Sequence, residues 1–137
     1  MSREHPWSLS PAALTSAPFT PRLVLPSPNG SAIAAAAPRG VVVAACLRNA
    51  PAAATWALQH GYGTDERPIA VIASGVRWPD GSLRLALEDG LGAGAVLAHL
   101  LAAGCRLSAE AAAMATTYKA TADIGRSRSA PARRRWN

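Results

Sequence analysis

At 137 residues, half of them hydrophobic and 16% charged, the chain suits one domain, or a piece of one, with an alanine-rich packed core. The net charge of +6 sits largely in a tail: residues 126–137 hold five arginines and no acid, so the body is nearly neutral and argues against a nucleic-acid binder. The two cysteines lack the spacing of a metal site or disulfide framework and read as buried free thiols; no apolar run is long enough to span a membrane and no secretory leader is visible, so a cytoplasmic protein is expected.

Residues 1–21 read as an irregular leader, because Pro6, Pro11, Pro18 and Pro21 limit regular structure. Arg22–Pro26 reads as a short buried strand. The turn Ser27-Pro28-Asn29-Gly30-Ser31 follows, then a short helix over 31–37 and a break at 38–40. Val41–Cys46 is the clearest strand, continuous and β-branched as expected when both faces are covered. Asn49 is placed to cap a helix over 49–60, and a polar loop leads to a third buried strand, Ile69–Ser74. Pro79-Asp80-Gly81 marks a turn. Ser82 is expected to cap a long helix running to about Ala103, despite Gly90, Gly92 and Gly94 inside it, and Ser108 opens a last helix to about Ala122. Residues 123–137 read as a basic, disordered tail. Strand followed by helix three times over predicts an α/β domain over 22–122, with a mostly parallel sheet and helices on both faces.

In such sheets ligands bind beyond the carboxyl ends of the strands. Three polar turns lie there. Ser27, Asn29, Gly30 and Ser31 open a helix and could hold an oxyanion on free backbone N–H groups and hydroxyls; an ordinary capped turn is the simpler alternative. Arg48 could grip an anion in a fork while Asn49 caps a helix or touches ligand. The richest segment is Arg77–Asp89, with Arg77, Trp78, Asp80, Glu88 and Asp89 in thirteen residues. Its carboxylates suit Mg²⁺, which takes one or two carboxylates plus substrate phosphate, with Asp80 and Glu88, or Asp80 and Asp89, as the metal candidates. The alternative is a polar helix start whose acids answer the helix dipole, with Arg84 and Glu88 paired four residues apart. Adjacent Glu88 and Asp89 diverge by about 100° on a helix, so only one can point straight at a site. His5, His60 and His99 form no metal or triad spacing.

Together these motifs resemble the 2-phosphosulfolactate phosphatase (ComB-like) family. The carriers are Trp7-Ser8-Leu9-Ser10-Pro11, Leu25 through Ser31, Cys46-Leu47-Arg48-Asn49-Ala50, and Arg77-Trp78-Pro79-Asp80-Gly81-Ser82-Leu83-Arg84 through Glu88-Asp89 to Ala95, over about residues 7–121. The resemblance implies a three-layer α/β/α fold and Mg²⁺-dependent hydrolysis of 2-phospho-3-sulfolactate, or a similar small acidic phosphomonoester, to 3-sulfolactate and phosphate, a step toward coenzyme M. Asp80, Glu88 and Asp89 are the catalytic candidates; Ser27, Asn29, Gly30, Ser31, Arg48, Asn49 and Arg77 are the phosphate-binding candidates. The implied partner is a small phosphorylated anion, and exposed sheet edges would favour a homo-oligomer. Val76 stands where the family places a carboxylate, Leu85 where it places Pro, and Gly90 where it places Leu. The resemblance implies that family segments before and after are missing and that similarity ends near Thr121, with an Arg/Pro/Ala-rich end of the kind a frameshift gives. A catalytically inactive remnant that binds anions or a partner is the alternative.

Overall fold

Helix-favouring alanine and leucine set most of the architecture. This computed structural model describes residues 11–22, 29–37 and 40–129. In chain order the described residues form α1 (Pro11–Thr15), α2 (Gly30–Ala36), α3 (Ala50–Gln59), β1 (Val76–Arg77), β2 (Leu83–Arg84), α4 (Leu87–Ala102) and α5 (Ala109–Ser129). The chain divides into two compact units, Met1–Val42 and Val43–Asn137. The first holds α1 and α2, so the expected irregular leader carries one short helix beginning at Pro11. Most of the strand expected over Arg22–Pro26, together with Ser27, lies outside the described residues.

In the second unit α4 packs against both α3 and α5. Its buried residues run almost without a break: Gly94, Ala95, Val96, Leu97, Ala98 and Leu100. A helix apolar around most of its circumference is one covered on several sides. One core cluster joins Ala50 and Ala54 of α3 to Ala95, Val96 and Leu100, with Leu58, Ile69, Val71, Cys105 and Tyr118 packed on it. A second joins Leu97 and Ala98 to Ala115 of α5, again with Val71 and Tyr118. Two of the glycines inside α4, Gly90 and Gly94, are part of this packing. A Cβ at Gly94 would lie 2.5 Å from the Met114 carbonyl oxygen and 2.8 Å from Tyr118 Cβ, so the backbones of α4 and α5 meet at the one residue without a side chain.

Helix α3 closes on its own aromatic groups. His60 stacks on Trp56 at 4.0 Å, with its Nδ1 2.8 Å from the Trp56 carbonyl oxygen. Arg67 donates to the His60 carbonyl oxygen at 2.8 Å and lies 4.2 Å from the Tyr62 ring centroid. A cation at the carbonyl end of a helix opposes the negative pole of its dipole. His60 is thus structural, as its isolation in the sequence suggests.

The sheet is smaller than expected and of the opposite sense. Among the described residues its only ladder is the antiparallel hairpin β1–β2, with Val76 opposite Arg84 and Arg77 opposite Leu83. The segments read as buried strands, 41–46 and 69–74, run on without ladder partners. Val41, Val42 and Val43 are about half exposed rather than covered on both faces. Ile69 and Val71 pack on the α3–α4 core while Ile72 is 65% exposed, so the 69–74 segment is covered on one face. A continuous apolar run marks chain fit for a strand, but a parallel ladder also needs a neighbour delivered by a crossover. Among the described residues none is delivered. The observed class is mixed helix with a small sheet.

Two helix boundaries also move. Ser82 does not cap a helix: it precedes β2, and α4 starts at Leu87 with Ala86 at its N-cap. The Trp78–Gly81 turn sends Leu83 and Arg84 back along β1 before the helix can begin. Arg84 therefore sits in a strand, 5.4 Å from the Trp78 ring centroid, and is not the helical partner of Glu88. Helix α5 runs through Ser129, so residues 123–129 are helical rather than disordered. Both cysteines are free, as expected, but Cys46 is exposed and Cys105 half-buried.

Candidate functional site

The polar segment that dominates the sequence becomes a hairpin followed by a helix start. Gly75, buried, turns the chain into β1 with φ +66°, and a Cβ there would stand 2.9 Å from the Arg84 carbonyl oxygen. Only glycine combines that backbone with that approach. The turn is held by Gly81 N donating to the Trp78 carbonyl at 2.9 Å and Trp78 N donating to the Ser82 carbonyl at 2.8 Å. Arg77 donates from its guanidinium to the Gly81 carbonyl at 3.0 Å, which fixes one edge of the fork and leaves its other donors to solvent or ligand.

Asp80 is committed to this turn. Its Oδ1 accepts from Ser82 Oγ at 2.7 Å and from Ser82 N at 2.9 Å. Those two bonds, the hydroxyl first, hold its carboxyl below the ordinary value of 3.8. A depressed carboxyl adds its stabilisation above the unfolded pKa and loses it as pH falls through the folded one. The Ser82 amide proton resonance is therefore expected to titrate with a midpoint below 3.8, and the Asp80→Ala variant to lose that titration. An unchanged titration in the variant would remove Asp80 from the turn.

Glu88 and Asp89 both occupy the first turn of α4, where the helix dipole favours acids. The two turns of helix expected before them are replaced by the hairpin. As adjacent helical residues they diverge, and their environments differ. Glu88 is exposed. Asp89 is half-buried, and its Oδ2 accepts from Ser74 Oγ at 3.1 Å. Ser74 ends the extended 69–74 segment; its bond to Asp89 joins that segment's carboxyl end to the start of α4. The sequence offers only a weak sign of Ser74: one hydroxyl at the end of an apolar run, just before a glycine.

The Arg48–Asn49 turn follows the other extended segment. Asn49 is the N-cap residue of α3, but its side chain makes no cap bond. Instead Oδ1 accepts from Cys46 N at 2.7 Å and Nδ2 donates to the Ala44 carbonyl at 3.1 Å. The amide is spent on shaping the turn that presents Arg48, which is exposed. Asn29, Gly30 and Ser31 belong to the first unit, where Asn29 is the N-cap residue of α2 without a side-chain cap bond. Ser27 lies outside the described residues.

Among the described residues no group of three or more His, Cys, Asp or Glu could hold a metal ion, so these residues assemble no all-protein cation cage. Exposed carboxylate oxygens, as at Glu88 and at Asp80 Oδ2, suit a hard cation that keeps waters and arrives with a phosphate. No helix among the described residues is long and apolar enough to cross a membrane.

These residues define a mixed helix-and-hairpin protein in which Glu88 and Asp89 stand at the start of one central helix and Ser74 is the candidate-site neighbour bonded to Asp89. The chain belongs to the 2-phosphosulpholactate phosphatase family, whose sequence model matches residues 5–132. That family is one of phosphatases, which sets the general level of the activity. The match runs past Thr121, where the resemblance was expected to stop, and so covers part of the arginine-rich end as family sequence. No curated protein and no solved structure matches the chain.

Proposed function

We propose that the chain is a Mg²⁺-dependent phosphatase of 2-phospho-3-sulfolactate or a similar small acidic phosphomonoester. The observation that carries this reading is the family match over residues 5–132. The polar start of α4 is the part of the fold that fits the chemistry. Hydrolysis breaks the bond between phosphorus and the ester oxygen, joins a water oxygen to phosphorus, and moves a proton from that water toward the departing alkoxide. Asp89, half-buried and held by Ser74, is suited to carry that proton. Arg48 and Arg77 supply guanidinium donors for the phosphate, sulfonate and carboxylate of such a substrate. Asn29, Gly30 and Ser31 are further anion-binding candidates, and Ser27 and Asn49 remain with them in this proposal. Glu88 and Asp80 Oδ2 would hold the cation; when bound, Mg²⁺ neutralises charge on the phosphoryl oxygens. A three-layer α/β/α arrangement, cytoplasmic location and a place in making coenzyme M belong to the same reading.

The test is direct. Purified protein is incubated with synthetic 2-phospho-3-sulfolactate, with Mg²⁺ or with EDTA, and inorganic phosphate is measured. Release that requires Mg²⁺ is expected. Folded protein that releases none under either condition would overturn the proposal and leave a non-catalytic family member.

A further inference from the structure

We propose that Ser74 is a positioning residue: its hydroxyl fixes the carboxylate of Asp89 in one orientation. The inference rests on the reading of Asp89 given above, and begins from the 3.1 Å bond between Ser74 Oγ and Asp89 Oδ2. Three observations make this more than a surface contact. Both residues are half-buried, so water competes for the bond less than at an exposed pair. Each end is anchored by packing. On one side, Gly75 is buried with a Cβ position 2.9 Å from both the Arg84 carbonyl oxygen and Leu83 Cδ1, which leaves the chain after Ser74 a single path. On the other, Asp89 is followed by buried Gly90, whose Cβ position lies 3.2 Å from Met114 Cε of α5. Finally, the bond spans fifteen residues and ties the 69–74 segment to α4 without any ladder between them.

The chemistry follows from which oxygen is occupied. A carboxylate has two oxygens and about four lone-pair directions. With Oδ2 taken by Ser74, Oδ1 is the oxygen left to meet a water or a leaving group. Proton transfer depends on that oxygen lying within hydrogen-bond reach, and misplacement by about 1 Å costs roughly 100-fold. Glu88, next in the chain and exposed, has no such anchor, which separates the two adjacent acids into a held group and a free one.

Two variants test this: Ser74→Ala and Ser74→Thr. Two readouts are taken on each, steady-state phosphate release from 2-phospho-3-sulfolactate with Mg²⁺, and the side-chain ¹³C carboxyl resonance of residue 89. Ser74→Ala is expected to lower kcat by about 10- to 100-fold with KM little changed, as loss of a supporting hydrogen bond does at other sites, and to move the Asp89 carboxyl resonance. Ser74→Thr keeps the hydroxyl and is expected to restore both. Ser74→Ala with wild-type kcat and an unmoved carboxyl resonance would overturn the proposal, as would a Ser74→Thr variant as impaired as Ser74→Ala. A wild-type chain that releases no phosphate overturns the phosphatase reading instead, and the carboxyl resonance then decides by itself whether Ser74 holds Asp89.

Discussion

Gly94→Ala is expected to destabilise the second unit by about 3 kcal/mol, lowering the thermal midpoint by roughly 12–24 °C. The new methyl group would meet the Met114 carbonyl oxygen at 2.5 Å and Tyr118 Cβ at 2.8 Å. Neither is the loose end of a flexible side chain. One is backbone inside α5 and the other is the root of a half-buried ring, so relief requires the two helices to move apart. That separation opens the cluster of Leu97, Ala98 and Ala115. Gly92→Ala is the matched control. A Cβ at Gly92 meets nothing within 4 Å, so alanine brings only its better helix propensity and is expected to stabilise by up to about 1 kcal/mol. Thermal unfolding followed by circular dichroism reads both variants. Equal effects would mean that α4 and α5 do not approach as closely as the structure has them.

Asp89→Asn is expected to lower phosphate release by about 10²- to 10⁴-fold, the range lost when a positioned acid or base is removed. Asparagine keeps the shape of the side chain and an oxygen that can accept from Ser74, so the bond at 3.1 Å has a substitute and folding is spared. Glu88→Gln removes a neighbouring charge from an exposed position and is expected to raise the Mg²⁺ concentration needed for half-maximal rate while leaving the rate at saturating Mg²⁺ near wild type. The pair is read by phosphate release across a Mg²⁺ titration. Full activity of Asp89→Asn would take Asp89 out of the chemistry.

Helical parts of the fold were legible from sequence wherever packing and local preference agreed. The alanine-rich runs after Asn49 and Ser108 begin α3 and α5 where expected, because alanine and leucine favour helix whatever surrounds them, whereas α4 begins at Leu87 rather than after Ser82 and α5 runs to Ser129 rather than Ala122. The sheet was not legible in the same way. Val41–Cys46 has a strand's composition, but a ladder belongs to two segments at once, and one segment's residues do not reveal whether a neighbour arrives. Ser82 misled for a related reason. A serine before an apolar run suits a helix cap, yet Asp80 two residues earlier closes a turn on it through Oδ1, and that turn starts a hairpin. The candidate site was half legible. Its carboxylates stood out as charge in an apolar chain; the partner of Asp89 did not, since a single hydroxyl after Ile-Ala-Val-Ile-Ala carries no pattern.

Val71 and Tyr118 each belong to both clusters of the core. A side chain shared in this way is a common wall between two rooms: pulling α3 away uncovers Val71 and Tyr118, which also complete the cluster between α4 and α5, and pulling α5 away takes Tyr118 from the cluster between α3 and α4. The two pairings that α4 makes, with α3 and with α5, are therefore linked through shared side chains. The start of α4, which carries Glu88 and Asp89, joins this packing through buried Gly90, whose Cβ position lies 3.2 Å from Met114 of α5.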